Sequence, residues 1–210
     1  MIKMLIADDH AIIRQGLKQI LADTIDIVVA DEASNGTEAL NQALEKDYDV
    51  IVLDITMPDR SGLDILKELK SKKPNLKVLI FSIHPEEQYA IRALRAGASG
   101  YLTKDSMPDE LIVAIRRVVL GHKYVSSSLA EKLAFELEPG VERPLHQALS
   151  DREYEVMHMI ASGERLTEIA DELCLSVKTV GTYRSRVLQK MKITNNAGLT
   201  RYSLEKGLLD

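Results

Sequence analysis

Short apolar runs alternate with segments of helical period through roughly the first 120 residues of the chain. Each apolar run is four to six residues long, which suits a strand buried on both faces. Strands that alternate with helices are typical of a parallel sheet covered by helices on its two faces. The pattern therefore predicts a doubly wound α/β domain with a five-stranded parallel sheet. The predicted strands span residues 2–7, 27–31, 50–53, 78–81 and 99–102, and the predicted helices span 11–22, 37–45, 63–70, 86–96 and 108–120.

The regular alternation ends near residue 121. Serines at 126–128 favour a short helix over 129–137, and the segment 138–144 (EPGVERP) contains two prolines and a glycine, which interrupt regular structure. We therefore predict that the α/β domain occupies residues 1–121. A linker with a short helix should follow over residues 122–147.

Residues 148–210 consist of helical segments separated by capping residues. Ser150 and Glu153 form the capping-box pattern at the start of one helix, and Gly163 follows the end of that helix. Three further helices are predicted from their N-caps. These caps are Thr167, Ser176, and either Asn195 or Asn196. The second domain is therefore predicted to be an all-α unit of four helices.

Charge is distributed unevenly along the chain. The net charge of −5 argues mildly against nucleic-acid binding if the chain is treated as one body. The acidic excess lies in the N-terminal part, however, and the segment 176–192 holds five basic residues and no acidic one. A basic stretch within a helical domain favours a nucleic-acid interface.

The single cysteine, Cys174, excludes an internal disulfide and a cysteine-rich zinc site. Because it lies among apolar residues at helical spacing, we predict that it is in the core. No apolar run approaches the roughly 20 residues that a membrane-spanning helix needs. The N-terminus also turns acidic before a signal-like stretch develops. We therefore expect a cytoplasmic protein with no membrane partner.

Polar residues follow four of the predicted strands. Asp8 and Asp9 follow the first strand, Asp54 the third, Ser82 the fourth and Lys104 the fifth. Because ligands bind beyond the carboxyl ends of the strands in open α/β sheets, we expect these side chains to converge. Three carboxylates repel one another, and a hard divalent cation such as Mg²⁺ offsets that repulsion. A carboxylate beside such a metal is suited to attack a phosphoryl group.

These residues resemble response-regulator receiver domains, which have a flavodoxin-like fold. The resemblance rests on the Asp8-Asp9 pair, the stretch VLDITMPDRSG around Asp54, Ser82, and the stretch AGASGYLTK that ends at Lys104. It covers the whole first domain. It implies that Asp54 accepts the phosphoryl group, that Asp9 binds Mg²⁺ directly and that Asp8 acts mostly through water.

The same resemblance assigns roles to other residues around the pocket. Thr56 would offer its backbone carbonyl to the metal, and Lys104 would hold the phosphoryl oxygens. Ser82 and Tyr101 would form a switch pair, in which the hydroxyl moves to the phosphate and the aromatic ring turns inward. The proline that commonly follows the family's lysine in a cis bond is replaced here by Asp105, which leaves the geometry of that bond open.

His10 follows the acidic pair directly. A histidine at this place could be a phosphohistidine or a metal ligand. We interpret it instead as a loop residue near the pocket.

The segment 167–191 has the pattern of a helix-turn-helix, with a short helix, a turn at Ser176 and a longer second helix. A major groove about 12 Å wide admits one helix, and the other helix braces it. Val180, Val187 and Met191 repeat at helical spacing and should face the core together with Ile169, Leu173 and Leu188. The opposite face should point outward. It carries Lys178, Thr179, Gly181, Thr182, Ser185, Arg186 and Gln189.

These helices resemble the DNA-binding domain of the NarL/FixJ response regulators, which is of the LuxR four-helix type. The matching stretches are LSDREYEVMHMIASG, EIADELCLSVKTVGTY and KMKITN. The resemblance implies phosphate contacts from Lys178, Thr179 and Lys190. Gly181, Thr182 and Ser185 would face the bases, and Arg186 adds charge to the same surface. Tyr183 and Arg184 depart from the family's usual residues.

Together the two resemblances imply a two-component response regulator that is not itself an enzyme. The expected partners are a sensor histidine kinase, double-stranded DNA, RNA polymerase and a second copy of the chain, which would join on phosphorylation or on DNA. We expect the unphosphorylated receiver to occlude the DNA-reading helix.

Two alternatives belong to other functional classes. A phosphatase or phosphotransferase with an aspartyl nucleophile would usually carry a second acid two residues after the nucleophile, where this chain has Thr56. The other alternative is a receiver whose helical tail binds protein rather than DNA.

Overall fold

The computed structural model describes residues 1–136 and 144–209. The chain divides into two compact units, Met1–Glu131 and Lys132–Asp210, and each is described by itself. Among the described residues, we find no helix with the length and apolar character that crossing a membrane requires. The boundary between the units falls inside the segment predicted to be a linker.

The first unit is built on a five-stranded parallel sheet with strand order β2-β1-β3-β4-β5. The chain runs outward from β1 to β2 and then returns to the other side of β1, so a crevice lies between the carboxyl ends of β1 and β3. The predicted fold class is confirmed. The strands are β1 (Ile2–Ala7), β2 (Ile27–Ala33), β3 (Val50–Leu53), β4 (Lys77–Ser82) and β5 (Gly100–Thr103).

Five helices accompany this sheet. Since both faces of the central strands are covered, all four residues of β3 are buried, as the continuous apolar run predicts. The predicted helix limits agree with the structure to within two residues. The helices are α1 (Ala11–Ala22), α2 (Gly36–Glu45), α3 (Gly62–Lys72), α4 (Glu86–Arg95) and α5 (Pro108–Val119).

The edge strand β2 is two residues longer than the sequence predicts. Glu32 is polar, yet it continues the strand because Arg14 and Lys18 of α1 lie 3.2 and 2.6 Å from its carboxylate. Asp31 is likewise paired with Lys46 at 2.5 Å. An edge strand can carry such pairs, and apolar patterning does not reveal them.

The start of the predicted linker packs on the first unit. Tyr124 continues the sheet beside β5, since its amide donates to the Ser99 carbonyl at 3.0 Å and its own carbonyl accepts from Tyr101 at 3.1 Å. Helix α6 (Ser127–Glu136) begins two residues before the predicted helix, because the Ser126 hydroxyl caps the Leu129 amide at 3.1 Å. Residue 137 of that predicted helix and most of the predicted break at 138–144 lie outside the described residues.

Residues 144–209 of the second unit form a 3₁₀ turn, Leu145–Ala148, followed by four α-helices. The predicted capping box is present, with Ser150 and Glu153 exchanging hydrogen bonds of 2.8 and 3.4 Å. Ser176 and Asn195 cap the last two helices. The helices are α7 (Asp151–Ala161), α8 (Leu166–Glu172), α9 (Val177–Met191) and α10 (Asn196–Glu205).

Two predictions about helix α8 are wrong. Its N-cap is Arg165 rather than Thr167, because the Glu168 carboxylate accepts the Arg165 amide at 2.7 Å and so satisfies the start of the helix. Cys174 is exposed rather than in the core. It lies two residues beyond the end of the helix in the left-handed conformation, with φ of 51°, so it does not continue the helical face of the buried Ile169 and Leu173.

Candidate functional sites

Asp8, Asp54 and Lys104 meet in the crevice between β1 and β3. The Lys104 ammonium lies 2.7 Å from a carboxylate oxygen of Asp54 and 2.7 Å from one of Asp8. None of the three side chains is more than 5% exposed. The structure therefore brings together, in a site shielded from water, three residues that the sequence places at the ends of separate strands.

Burial and charge act in opposite directions on these groups. Burial raises the pKa of Asp54 to about 6, although the Lys104 charge opposes this effect. Burial lowers the pKa of Lys104, but the charge and hydrogen bond of Asp54 outweigh it, so the Lys104 pKa is raised overall. At neutral pH the pocket therefore holds a charged lysine and a mostly ionised Asp54, which is the nucleophilic form.

The acidic cluster has the donors that a hard cation needs. Asp8, Asp9, His10 and Asp54 each offer a ligand atom, and these atoms lie within 4.8 Å of one another. One lysine cannot neutralise three carboxylates, and carboxylate oxygen is the donor that hard divalent cations prefer. The residues therefore fit a divalent metal ion.

His10 lies at the rim of this cluster. Its Nδ1 atom is 2.7 Å from Asp9 and 3.3 Å from Asp8, and its side chain is 55% exposed. Thr56 reaches the pocket through its backbone, since its amide donates to Asp54 at 3.3 Å.

Ser82 and Tyr101 are connected through a residue that the sequence analysis missed, His84. The Tyr101 hydroxyl donates to the His84 carbonyl at 2.8 Å, and the His84 amide donates to the Ser82 hydroxyl at 3.2 Å. The His84 ring lies 3.0 Å from the Thr56 hydroxyl and stacks on the Tyr89 ring with centroids 4.5 Å apart. His84 lies two residues after Ser82, in the loop beyond the end of β4. That position is the sequence feature that could have identified it as a residue of the pocket.

A glycine allows α3 to start against the backbone of Asp54. A Cβ atom on Gly62 would lie 2.0 Å from the Asp54 carbonyl oxygen and 2.8 Å from the Ile55 Cα. The Gly62 amide donates to the Ile55 carbonyl at 2.7 Å. The loop that positions Asp54 is therefore held by a contact that only glycine permits.

We expect Gly62→Ala to lower the free energy of unfolding of the first unit by about 3 kcal/mol, because the added methyl group forces backbone atoms apart. Urea denaturation followed by circular dichroism measures this change. The matched control is Gly16→Ala in α1, where an added Cβ meets nothing within 4 Å. That change should stabilise the unit by up to about 1 kcal/mol. Equal effects at the two positions would contradict the close contact at Gly62.

Helix α9 presents one apolar and one polar face. Val180, Val187 and Met191 are fully buried, as the spacing predicts. The predicted outward residues are all exposed or half-buried. They are Lys178, Thr179, Gly181, Thr182, Ser185, Arg186 and Gln189.

Several polar groups on α9 already have partners within the second unit. The Thr182 and Ser185 hydroxyls each donate to the carbonyl one turn earlier, at 3.0 Å. Lys190, a predicted phosphate contact, forms an ion pair with Glu153 of α7 at 2.6 Å and stays 42% exposed. Arg184 donates to Asn196 of α10 at 2.7 Å. Lys178 and Arg186 are also among the predicted DNA contacts, and both are exposed. Within the described ranges, the structure shows no ion pair for either of them.

Comparisons with known proteins account for both units. The family model described as "Response regulator receiver domain" matches residues 4–116. The model described as "Bacterial regulatory proteins, luxR family" matches residues 147–203. In the first unit, the matched segment contains the acidic cluster and Lys104. In the second, it contains the whole of α9.

Whole-length relatives carry the same combination of domains. The chain is 36% identical to the response regulator GacA of Pseudomonas aeruginosa, over 100% of this chain and 99% of that protein. It is similar to RcsB of Salmonella enterica serovar Typhimurium bound to promoter rprA with the phosphomimetic BeF3⁻, with 25% identity, a TM-score of 0.67 and coverage of 96% and 97%. A structure of two RcsB dimers bound to two parallel DNAs is also similar, with 25% identity, a TM-score of 0.60 and coverage of 98% of each chain.

These matches decide between the functional classes that the sequence left open. The family comprises transcriptional regulators rather than phosphatases or other enzymes. Its receiver model covers the crevice, and its DNA-binding model covers the helix-turn-helix. The chain belongs to the NarL/FixJ-type, LuxR-family response regulators.

Proposed function

We propose that the chain is a transcription regulator switched by phosphorylation of Asp54, with a sensor histidine kinase as the donor. The observation that carries this proposal is the buried Asp54 carboxylate, 2.7 Å from Lys104 and within reach of Asp8 and Asp9. A carboxylate that is ionised at neutral pH and shielded from water is a competent nucleophile.

In the phosphotransfer step, an Asp54 oxygen attacks the phosphorus of a phosphohistidine. The P–N bond breaks, its electron pair goes to the imidazole nitrogen, and an acyl phosphate forms on Asp54. Lys104, already hydrogen-bonded to Asp54, stabilises the negative charge on the transferred oxygens. Ser82 supplies a hydroxyl from the neighbouring strand end.

Mg²⁺ is the cofactor that we assign to the acidic cluster. Asp8, Asp9, Asp54 and the Thr56 carbonyl would hold it, and when bound it neutralises charge on the incoming phosphoryl group. Asp8 belongs to this cluster and also lies 2.7 Å from Lys104, so it would contact both the metal ion and the lysine. Tyr101 would complete the proposed switch with Ser82. Its hydroxyl donates a hydrogen bond to the His84 carbonyl in the structure.

Helix α9 is the proposed DNA reader. Lys178, Thr179 and Lys190 would contact phosphates, with Arg186 adding charge. Gly181, Thr182 and Ser185 would approach the bases. Lys190 would have to share its ammonium with Glu153, since the two are paired in the structure. The structure of RcsB dimers on DNA supports a homodimer on DNA for this chain. We propose that phosphorylation favours that dimer, which would contact RNA polymerase.

Incubating the wild-type chain with acetyl phosphate and Mg²⁺ tests this function. We expect an intact-mass increment of one phosphate that maps to the peptide containing Asp54, and none when EDTA replaces Mg²⁺. Phosphorylated protein should bind a duplex, selected from a random library, more tightly than unmodified protein and should have a larger mass in solution. Equal affinity and equal mass before and after modification would contradict the switch.

A further inference from the structure

A second polar pocket opens at the other edge of the sheet, where β4 and β5 begin. Its volume is about 300 Å³, at the lower end of the range for small-ligand sites. Lys77 is the first residue of β4, whereas Asp54 follows the last residue of β3, so the parallel strands separate this pocket from the phosphorylation site. Three lysines line it: Lys70 of α3, Lys77 of β4, and Lys123 after α5.

Within residues 1–136 and 144–209, the structure shows no ion pair for Lys70, Lys77 or Lys123. Lys70 donates to the Leu76 carbonyl at 2.5 Å and to the Pro74 carbonyl at 3.5 Å, and Lys123 donates to the Ala98 carbonyl. An ammonium group has three donors, so each lysine keeps at least one donor for a ligand.

The pocket concentrates positive charge. Burial, together with the charges of Lys123 and Lys77, lowers the pKa of Lys70 to about 8. Burial and the Lys77 charge also lower the pKa of Lys123. His122 lines the same pocket. Lys70 is thus still mostly protonated at pH 7, and the three like charges repel one another in the absence of an anion.

Capping of chain carbonyls accounts for only part of this arrangement. It explains two contacts of Lys70 and one of Lys123, but among the residues that the structure describes Lys77 makes no such contact and adds repulsion. The Lys70 stem also passes close to Gly97, since a Cβ on that glycine would lie 3.0 Å from the Lys70 Cγ. The lysines are therefore positioned around a shared space.

We propose that this pocket binds a small anion that carries two or more phosphate groups. Lysine ammonium groups act as point charges toward phosphate. Three of them at one site therefore favour an anion with several negative charges over an anion with a single charge. The volume exceeds what a single phosphate group fills. The site is independent of the chemistry at Asp54, because it uses other residues at the opposite strand ends.

Calorimetric titration of the full chain with pyrophosphate, in EDTA so that the acidic cluster holds no metal, tests this proposal. We expect saturable binding that is weakened at least about tenfold in a Lys70→Met, Lys77→Met double variant, which removes two of the charges but keeps the aliphatic stems. The matched control is Lys72→Met, on the same helix but paired with Glu68 outside the pocket. It should bind as the wild type does. Thermal melts followed by circular dichroism establish that each variant is folded.

Amide shifts in a ¹⁵N-labelled sample locate the bound anion. We expect pyrophosphate to shift the amides of Gly97, Ser99 and Gly121, which line the pocket, and orthophosphate to bind more weakly. Unchanged affinity in a folded double variant would overturn the proposal. Shifts confined to α9, or equal affinity for orthophosphate and pyrophosphate, would also overturn it.

Discussion

An Asp54→Asn variant incubated with acetyl phosphate and Mg²⁺ will show no phosphate mass increment, whereas the wild-type chain will gain one. The amide keeps the size of the side chain but removes the nucleophilic oxygen anion. Asp64→Asn is the matched control, because Asp64 is exposed in the first turn of α3 and close to the same loop. It should be phosphorylated like the wild type. An increment in both variants would place the acceptor elsewhere.

Asp54→Asn should also be more stable than the wild type at pH 7 in EDTA, by about 3 kcal/mol. Burial raises the pKa of Asp54 from 3.8 to about 6. Between these two values, the folded state holds a proton that the unfolded state has released. The free energy of unfolding of the wild type therefore falls as the pH rises through this range. The full loss is reached above about pH 6. Lys104 keeps a carboxylate partner in the variant, since Asp8 lies 2.7 Å away.

Urea denaturation across the pH range measures this effect. The difference between wild type and Asp54→Asn should shrink as the pH falls from about 7 to about 4, and Asp64→Asn should show no such trend. A constant difference would mean that Asp54 titrates normally.

The sequence predicts the first unit well because its strands are buried on both faces and therefore consist of unbroken apolar runs. It also predicts that Asp8, Asp54 and Lys104 converge, since parallel strands place their carboxyl ends at one edge. It underestimates β2, because Glu32 is held in the strand by Arg14 and not by apolar packing.

Other features depend on side-chain direction and local turns, which periodicity does not encode. Cys174 continues the apolar pattern of α8, but the backbone turns left-handed at that residue and exposes it. His84 contacts Thr56 because the loops after β3 and β4 lie side by side. The lysine pocket combines Lys70 and Lys77 with the distant Lys123. It lies where strands begin, and apolar periodicity does not mark residues at that end of a sheet as a site.

Replacing both Lys178 and Arg186 by alanine should weaken binding to selected and random duplexes in similar proportion, by about a hundredfold at moderate salt. Both side chains are exposed on α9, opposite the buried Val180 and Val187. Because each phosphate contact releases counterions, the slope of log affinity against log salt should become shallower by about 2.

Two further variants separate charge from sequence reading. Lys206→Ala removes an exposed charge beyond α10 and should leave affinity and salt slope unchanged. Thr182→Ala should reduce the preference for the selected duplex over random DNA while the salt slope stays the same, because a hydroxyl facing the bases carries sequence information and no charge. Electrophoretic mobility shifts at several salt concentrations measure all of these. Equal losses of affinity in Lys206→Ala and the double variant would show general charge attraction and would contradict α9 as the DNA-reading helix. Losses of affinity confined to the double variant would place the phosphate backbone along this helix.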